Sequence, residues 1–378
     1  MKRFLLIIAI FSFATLSAQY KYEFKIVKEN PYTSVKDQAY TGTCWCFATV
    51  SFIESEAIRK GKADTTLDLS EMYIVRYIYG DRLRDNYYRY GKGNKGPGSV
   101  GHSVLKAMDA AGLMTEEAYH GINYDSKFHN HKDLQAELNE ISDKAVKDKS
   151  GYPHAEVEAT LDKYLGPLPT GEFTYKGTSY QNLDFKKALD LNGNEYVEIT
   201  SFTHHPFYKR VPLEIPDNYD HELYYNVPLD DLVAITDNAI KKGYTVAWDS
   251  DMSEIYFAHN NHIALFTPGE NLIAVKDANF PKRYVEAPIN QEIRQQMYEN
   301  YTTVDDHLMH IVGIAQDQEG VKYYKVKNSW GTDNGDGFLY VSESFFKAKT
   351  ISILVHINAI PRQIRQEMGL YRVMKLDE

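Results

Sequence analysis

Both cysteines of the chain, Cys44 and Cys46, stand in "QAYTGTCWCFATVSFIESEA", residues 38–57, with only Trp45 between them. Three chemistries fit such a pair: a metal or redox site, two packing residues, or one nucleophile beside a bystander. A structural metal needs more ligands at local spacing than C-W-C offers. The other histidine clusters, "HH" at 204–205 and "HNNH" at 259–262, bring no companion carboxylate motif, so no metal and no cofactor is expected. A disulfide between residues two apart in a helix has the wrong geometry. That leaves packing and nucleophilic roles for the two thiols.

Helical spacing separates them. The run "CWCFATVSFIESEAIRKG" reads as a helix ending near Gly61, with Cys46, Val50, Ile53 and Ala57 on one face. If it begins at Cys44, that thiol sits at the positive end of the helix dipole, which favours a thiolate. Cys46 then points about 200° away, toward the core. It is expected to be a small buried hydrophobe.

The elements that must hold a nucleophile follow in order. Residues 69–83 read as a second helix capped by Ser70. A glycine-rich loop, "GKGNKGPGSVG", leads into a helix around "SVLKAMDAAG", and residues 133–149 form a charged, solvated helix. Residues 150–225 read as turns and short strands. A helix over "DDLVAITDNAIKKG" then stops at Gly243, before the strand "YTVAWDS". "HIALF", "HLMHIVGIA", "YYKVKNS" and "GFLYVS" read as four more strands. Helices early and antiparallel strands late predict an α+β protein with two packed halves.

Whole-chain properties exclude several classes. With 43% hydrophobic and 25% charged residues, the 378-residue chain has the balance of a globular protein with a large core. A net charge of -10 argues against nucleic acid or an anionic membrane as the main partner. Lys2 and Arg3 precede the apolar run "FLLIIAIFSFATL", with "LSA" at 16–18, which reads as a bacterial signal peptide cut after Ala18. No cysteine follows that point to carry a lipid anchor. An exported (periplasmic or secreted) protein without stable membrane insertion is expected. Two cysteines cannot staple a chain of this length, so the fold must stand on its core.

Further motifs bring the argument to a family. Gln38-x5-Cys44-Trp45-x-Phe47, Asp306-His307 and Asn328-Ser329-Trp330-Gly331 resemble the landmarks of the papain superfamily of cysteine peptidases. "LSE" at 69–71, the glycine loop at 96–98 and "GLMTEEAY" at 112–119 resemble others, in the same order. The resemblance implies a papain-like fold of two subdomains, one helical and one β-barrel-like. It makes Cys44 the nucleophile, His307 the acid/base, Asn328 the orienter of the imidazole and Gln38 an oxyanion donor. Trp330 would shield the Asn328–imidazole bond beside the cleft, and Gly96, Pro97 and Gly98 would align the substrate's backbone. Such a site cleaves peptides through a thiolate–imidazolium pair and an acyl-enzyme. His307 is preferred over His310 because it follows a short polar residue and lies six positions before Gly313. His310 is expected to pack in the core.

Departures narrow the branch. His307 follows Cys44 by far more than the roughly 130–150 residues usual in papain-like enzymes, and Thr41 stands where secreted members carry a disulfide cysteine. Both features, with "YLGPLPTGEFTY", "YNVPLDDL" and "IKKGYTVAWDSDM", resemble the bleomycin hydrolase and aminopeptidase C branch. The expected organisation is a helical half over about 38–125, an insertion over about 126–235, a β-rich half over about 236–350 and a C-terminal tail over 351–378. The branch implies peptide substrates, a hexameric homo-oligomer and aminopeptidase action, with the terminal carboxylate at Glu378 holding the substrate's amine. An endopeptidase with an open cleft and a non-catalytic peptide-binding protein are the competing expectations.

Overall fold

The structure, a computed structural model, describes residues 20–254, 256–266, 283–333 and 335–370. The expected signal peptide and Glu378 lie outside the described residues. Strand β1 (Lys25–Glu29) leads to the central helix α1 (Cys44–Arg59), which is buried almost all round from Trp45 to Ala57. A helix buried on every side must lie between two layers. One layer is helical: α2 (Glu71–Tyr88), α3 (Gly101–Ala111), α4 (Lys132–Asp148) and α5 (His154–Leu165) share a core with α1. Ser70 caps α2 as expected, its Oγ accepting the Tyr73 N–H at 3.1 Å. On α4 only one stripe is buried, including Leu134, Leu138 and Ala145.

The stretch read as turns and short strands holds more helix than its composition suggested. After α5 come the hairpin β2 (Phe173–Tyr175) and β3 (Thr178–Tyr180), then helix α6 (Asn182–Ala188). Strands β4 (Tyr196–Thr200), β5 (Lys209–Pro212) and β6 (Leu223–Asn226) follow. Gly, Pro and Tyr mark the boundaries here and hide the short helices between them.

The second layer is one open mixed sheet. Helix α7 (Leu229–Lys241) precedes β7 (Val246–Ser250), β8 (Phe257–Ala258) and β9 (Ile263–Ala264). Helix α8 (Gln291–Glu299) precedes β10 (His307–Gln316), β11 (Lys322–Lys327) and β12 (Phe338–Ser342). Helix α9 (Glu343–Lys349), strand β13 (Thr350–His356) and helix α10 (Arg362–Glu367) complete the order. The sheet runs β5-β6-β4-β13-β7-β10-β11-β12-β9-β8, with β1 on β10. It stays open rather than closing as a barrel, and β4–β6 and β9–β12 pair in parallel. Residues 351–356, expected in a tail, form most of the inner strand β13, between β4 and β7. The segment expected as an insertion likewise supplies three sheet strands.

Leu308, Ala247 and Leu354 reach from the sheet into the helical core, which fixes α1 on β10 and β7. A buried charge network locks the approach to α1. Lys36 Nζ meets Glu71 at 2.7 Å, Asp68 at 2.7 Å and Glu54 of α1 at 3.3 Å. Glu54 also accepts the Leu69 N–H at 2.8 Å. Losing the cation leaves two buried carboxylates without it, so Lys36→Met should destabilise the fold by about 3 kcal/mol or more. Urea denaturation checks this, and a loss below about 1 kcal/mol, the level of a surface pair, would show that the network does not hold the segment.

Candidate active site

Cys44 is the first residue of α1 and is half-buried, whereas Cys46 is fully buried. The Cys46 thiol donates to the Glu71 carbonyl at 3.3 Å, and burial raises its pKa far above the ordinary thiol range. It packs, as the helical spacing predicts. The Cys44 sulfur instead lies by the backbone N–H of Leu308, the second residue of β10, which favours its thiolate. That contact sets it beside His307.

His307 Nε2 and Asn328 Oδ1 are 2.8 Å apart. Asn328 follows the last residue of β11, so antiparallel pairing returns it to the start of β10. Its Oδ1 also accepts the Ser329 N–H at 2.8 Å, which fixes the oxygen on the histidine side. Nε2 of His307 must then carry the proton, leaving Nδ1 as the nitrogen able to serve Cys44. The Trp330 ring lies over the imidazole at 4.9 Å, tilted by 33°. It covers this bond and is itself half-exposed.

Gln38 joins the same group through Ser329. Its backbone N–H donates to Ser329 O at 2.9 Å, and its Oε1 accepts the Ser329 hydroxyl at 2.7 Å. The side-chain amide is therefore oriented, with Nε2 donating one hydrogen to Thr41 O at 3.0 Å. The second hydrogen remains for an oxyanion. The first N–H groups of α1 have no acceptor within the helix and can supply a companion donor.

A sequence model of the Peptidase C1-like family matches residues 174–376, more than half of the chain. The chain belongs to that family, within the papain superfamily of cysteine peptidases. A model of the papain family cysteine proteases matches residues 21–181. Aminopeptidase E of Lactobacillus helveticus is 22% identical over 370 residues, covering 85% of this chain and 81% of that protein. Aminopeptidase G of Lactobacillus delbrueckii subsp. lactis is 24% identical over 176 residues, which span 46% of this chain but only 38% of that protein. The crystal structure of PepW from Lactobacillus rhamnosis shares the fold, with a TM-score of 0.65 at 17% identity over 91% of this chain and 84% of that one.

Within this peptidase fold His310 faces away from the cleft. Its Nδ1 meets the Ser51 hydroxyl at 2.9 Å, in a pocket that Lys327 also enters. It is packed, although its Nε2 has no partner among the described residues. Gly96, Pro97 and Gly98 form a loop tied to the nucleophile's helix, since the Trp45 indole donates to Pro97 O at 3.0 Å. Gly98 is tight for an unexpected reason. A Cβ there would lie 2.0 Å from Asp217 Oδ2, so a carboxylate occupies that face of the glycine loop.

His259 carries no local signal of a role here, since "HNNH" raises only a metal question. Its Nδ1 meets Asn328 Nδ2 at 3.3 Å, and its ring packs on Trp330 at 4.5 Å. It thus holds the other end of the amide that orients His307. Only its place in the fold reveals this. Another histidine pair, His204 and His205, meets Glu214 with all three ligand atoms within 4.8 Å. Gln295 Nε2 bonds His204 Nδ1 at 3.0 Å, which leaves the proton on Nε2, where Glu214 accepts it.

Electrostatics set the resting state. Burial pushes the Cys44 thiol up to about 12, opposed by the Leu308 N–H and reinforced by Asp249, Asp305 and Asp217. Burial pulls His307 down to about 4, opposed by Asn328 and Asp306. Between those limits the pair holds one proton: burial favours the neutral thiol and imidazole, and the α1 dipole and the pair's mutual attraction oppose it in favour of thiolate and imidazolium, the form that cysteine-peptidase chemistry uses. Below about 4 a second proton binds and the thiolate is lost. Alkylation of Cys44 by iodoacetamide should therefore hold a plateau through neutral pH and fall only as pH drops through about 4. A rate that climbs steadily through neutral pH, like that of an ordinary thiol, would refute the ion pair.

Proposed function

We propose that this protein is an exported aminopeptidase that hydrolyses peptides through a thioester on Cys44. The observation that carries the reading is the oriented His307–Asn328 pair, set beside the Cys44 sulfur by the Leu308 N–H. Cys44 attacks the scissile carbonyl, and His307 passes its proton to the leaving amine. Gln38 and the α1 N-terminus receive the oxyanion, and water then releases the acyl group. Asn328 orients the ring, and Trp330 keeps water from that bond.

Aminopeptidase action is supported by the names of the two Lactobacillus relatives and by the branch resemblance. Export is supported by Lys2, Arg3 and the apolar run that follows. Gly96, Pro97 and Gly98 remain the proposed rail for the substrate backbone, and peptides the proposed partners.

The test compares an unblocked aminoacyl fluorogenic amide with its N-acetylated form. Wild type should cleave the free-amine substrate and leave the blocked one nearly intact. Cys44→Ala and His307→Ala should each lose on the order of 10³-fold or more of that rate, whereas His310→Ala should mainly lower thermal stability. Efficient cleavage of the blocked peptide would mean an open endopeptidase cleft. Retained turnover in Cys44→Ala would remove the nucleophile assignment.

A further inference from the structure

Three carboxyl groups crowd the approach to Cys44, and no sequence motif announces them. Asp249 lies in β7 directly across from Leu308, whose N–H reaches the sulfur. Asp305 stands two residues before His307. Asp217 comes from the segment before β6 and fills the face of Gly98. All three act on the Cys44 thiol as neighbouring negative charges.

Their partners do not balance them. Asp249 is 1% exposed, and neither of its oxygens meets an N–H or O–H donor among the described residues. It rests against the Asp305 carboxyl, close enough for the two to share a proton, and Glu198 adds further negative charge. Asp305 accepts the backbone N–H of Asp217. Asp217 has Asn94 Nδ2 at 3.1 Å, and Arg82 faces it at 3.8 Å. Arg82 pairs with Asp217, and among the described residues no cation forms an ion pair with Asp249 or Asp305. A buried carboxyl with two unused acceptors costs stability unless something donates to it.

Two of the three carboxyl groups meet solvent. Asp305 and Asp217 are partly exposed, and Asp305 lines a cavity of about 650 Å³ together with Pro216, Val304, Tyr298 and Tyr301. Glu214 and Glu299 also stand on the walls of that cavity, which Asp305 alone of the three acids lines.

We propose that Asp249, Asp305 and Asp217 form an ammonium-binding pocket beside Cys44, which takes the free α-amine of the residue whose carbonyl is attacked. This deepens the aminopeptidase reading and rests on it. The α-nitrogen is two bonds from the reacting carbonyl carbon, so a cation site adjoining the nucleophile is suited to it. An ammonium donates three hydrogens and can satisfy the unpartnered Asp249 oxygens while releasing the shared proton. An amine on a lysine side chain one residue upstream offers the same chemistry, and the test separates the two.

Three fluorogenic amides decide the matter: alanyl, N-acetyl-alanyl and N-acetyl-lysyl-alanyl, each with wild type, Asp305→Asn and Asp249→Asn. In both variants kcat/KM for the alanyl amide should fall about tenfold or more, chiefly through KM for Asp305→Asn, and its preference over the acetylated form should collapse. Equal preference in wild type and both variants overturns the proposal while leaving the aminopeptidase reading intact. A loss confined to the lysyl substrate overturns the α-amine assignment in favour of a side-chain pocket. A wild type that does not cleave the alanyl amide overturns the aminopeptidase reading, and the proposal with it. An independent measurement avoids any variant that fails to fold. L-Alaninamide should inhibit wild type at least about tenfold better than N-acetyl-L-alaninamide, and equal inhibition counts against the pocket.

Discussion

The backbone N–H of Leu308 favours the thiolate of Cys44, and the rest of the site depends on that junction. It joins the first turn of a buried helix to the first residues of an inner strand. Neither end can move alone. Leu308 itself packs into the helical core, and His307 and Asn328 are held by the pairing of β10 with β11. Proximity of nucleophile, base and orienter is thus a property of the core rather than of a loop, which is where preorganisation is most secure.

The same burial sets a conflict between stability and chemistry. Desolvation opposes charge on Cys44 and on His307, and both must be charged together for a thiolate to exist. The acids beside Cys44 worsen the thiolate's position, and burial raises Asp305 to about 7. A cationic substrate reverses that penalty when it binds. On this account the substrate's amine completes the electrostatics of the site, so selectivity and activation of the nucleophile are linked.

What could be read from the sequence follows what is local. Ser70 and α2, the strands around His307 and Asn328, and the inward-facing Cys46 are legible because periodicity and capping act over a few residues. Alternation along one strand says that only one of His307 and His310 can meet Cys44, and the choice of His307 comes from its resemblance to the family pattern, with Asp306 before it and Gly313 six positions on. Ser329 as the link between Gln38 and Asn328 was not legible, since it depends on a crossing of segments almost three hundred residues apart. His259, Asp249 and Asp217 were hidden for the same reason. Residues 351–356 read as tail because nothing local says that a last strand will insert between β4 and β7. Short helices such as α6 were lost among Gly, Pro and Tyr, whose boundary signals outweigh seven residues of helical pattern.

In the proposed reaction Cys44 carries the acyl group during turnover. Acid quenching during hydrolysis of a slow aminoacyl ester, followed by mass mapping of the peptides, tests it directly. The acyl mass is expected on the peptide bearing Cys44, with its loss in Cys44→Ala. Turnover with no adduct there, or an adduct on Cys46 or another residue, would contradict it.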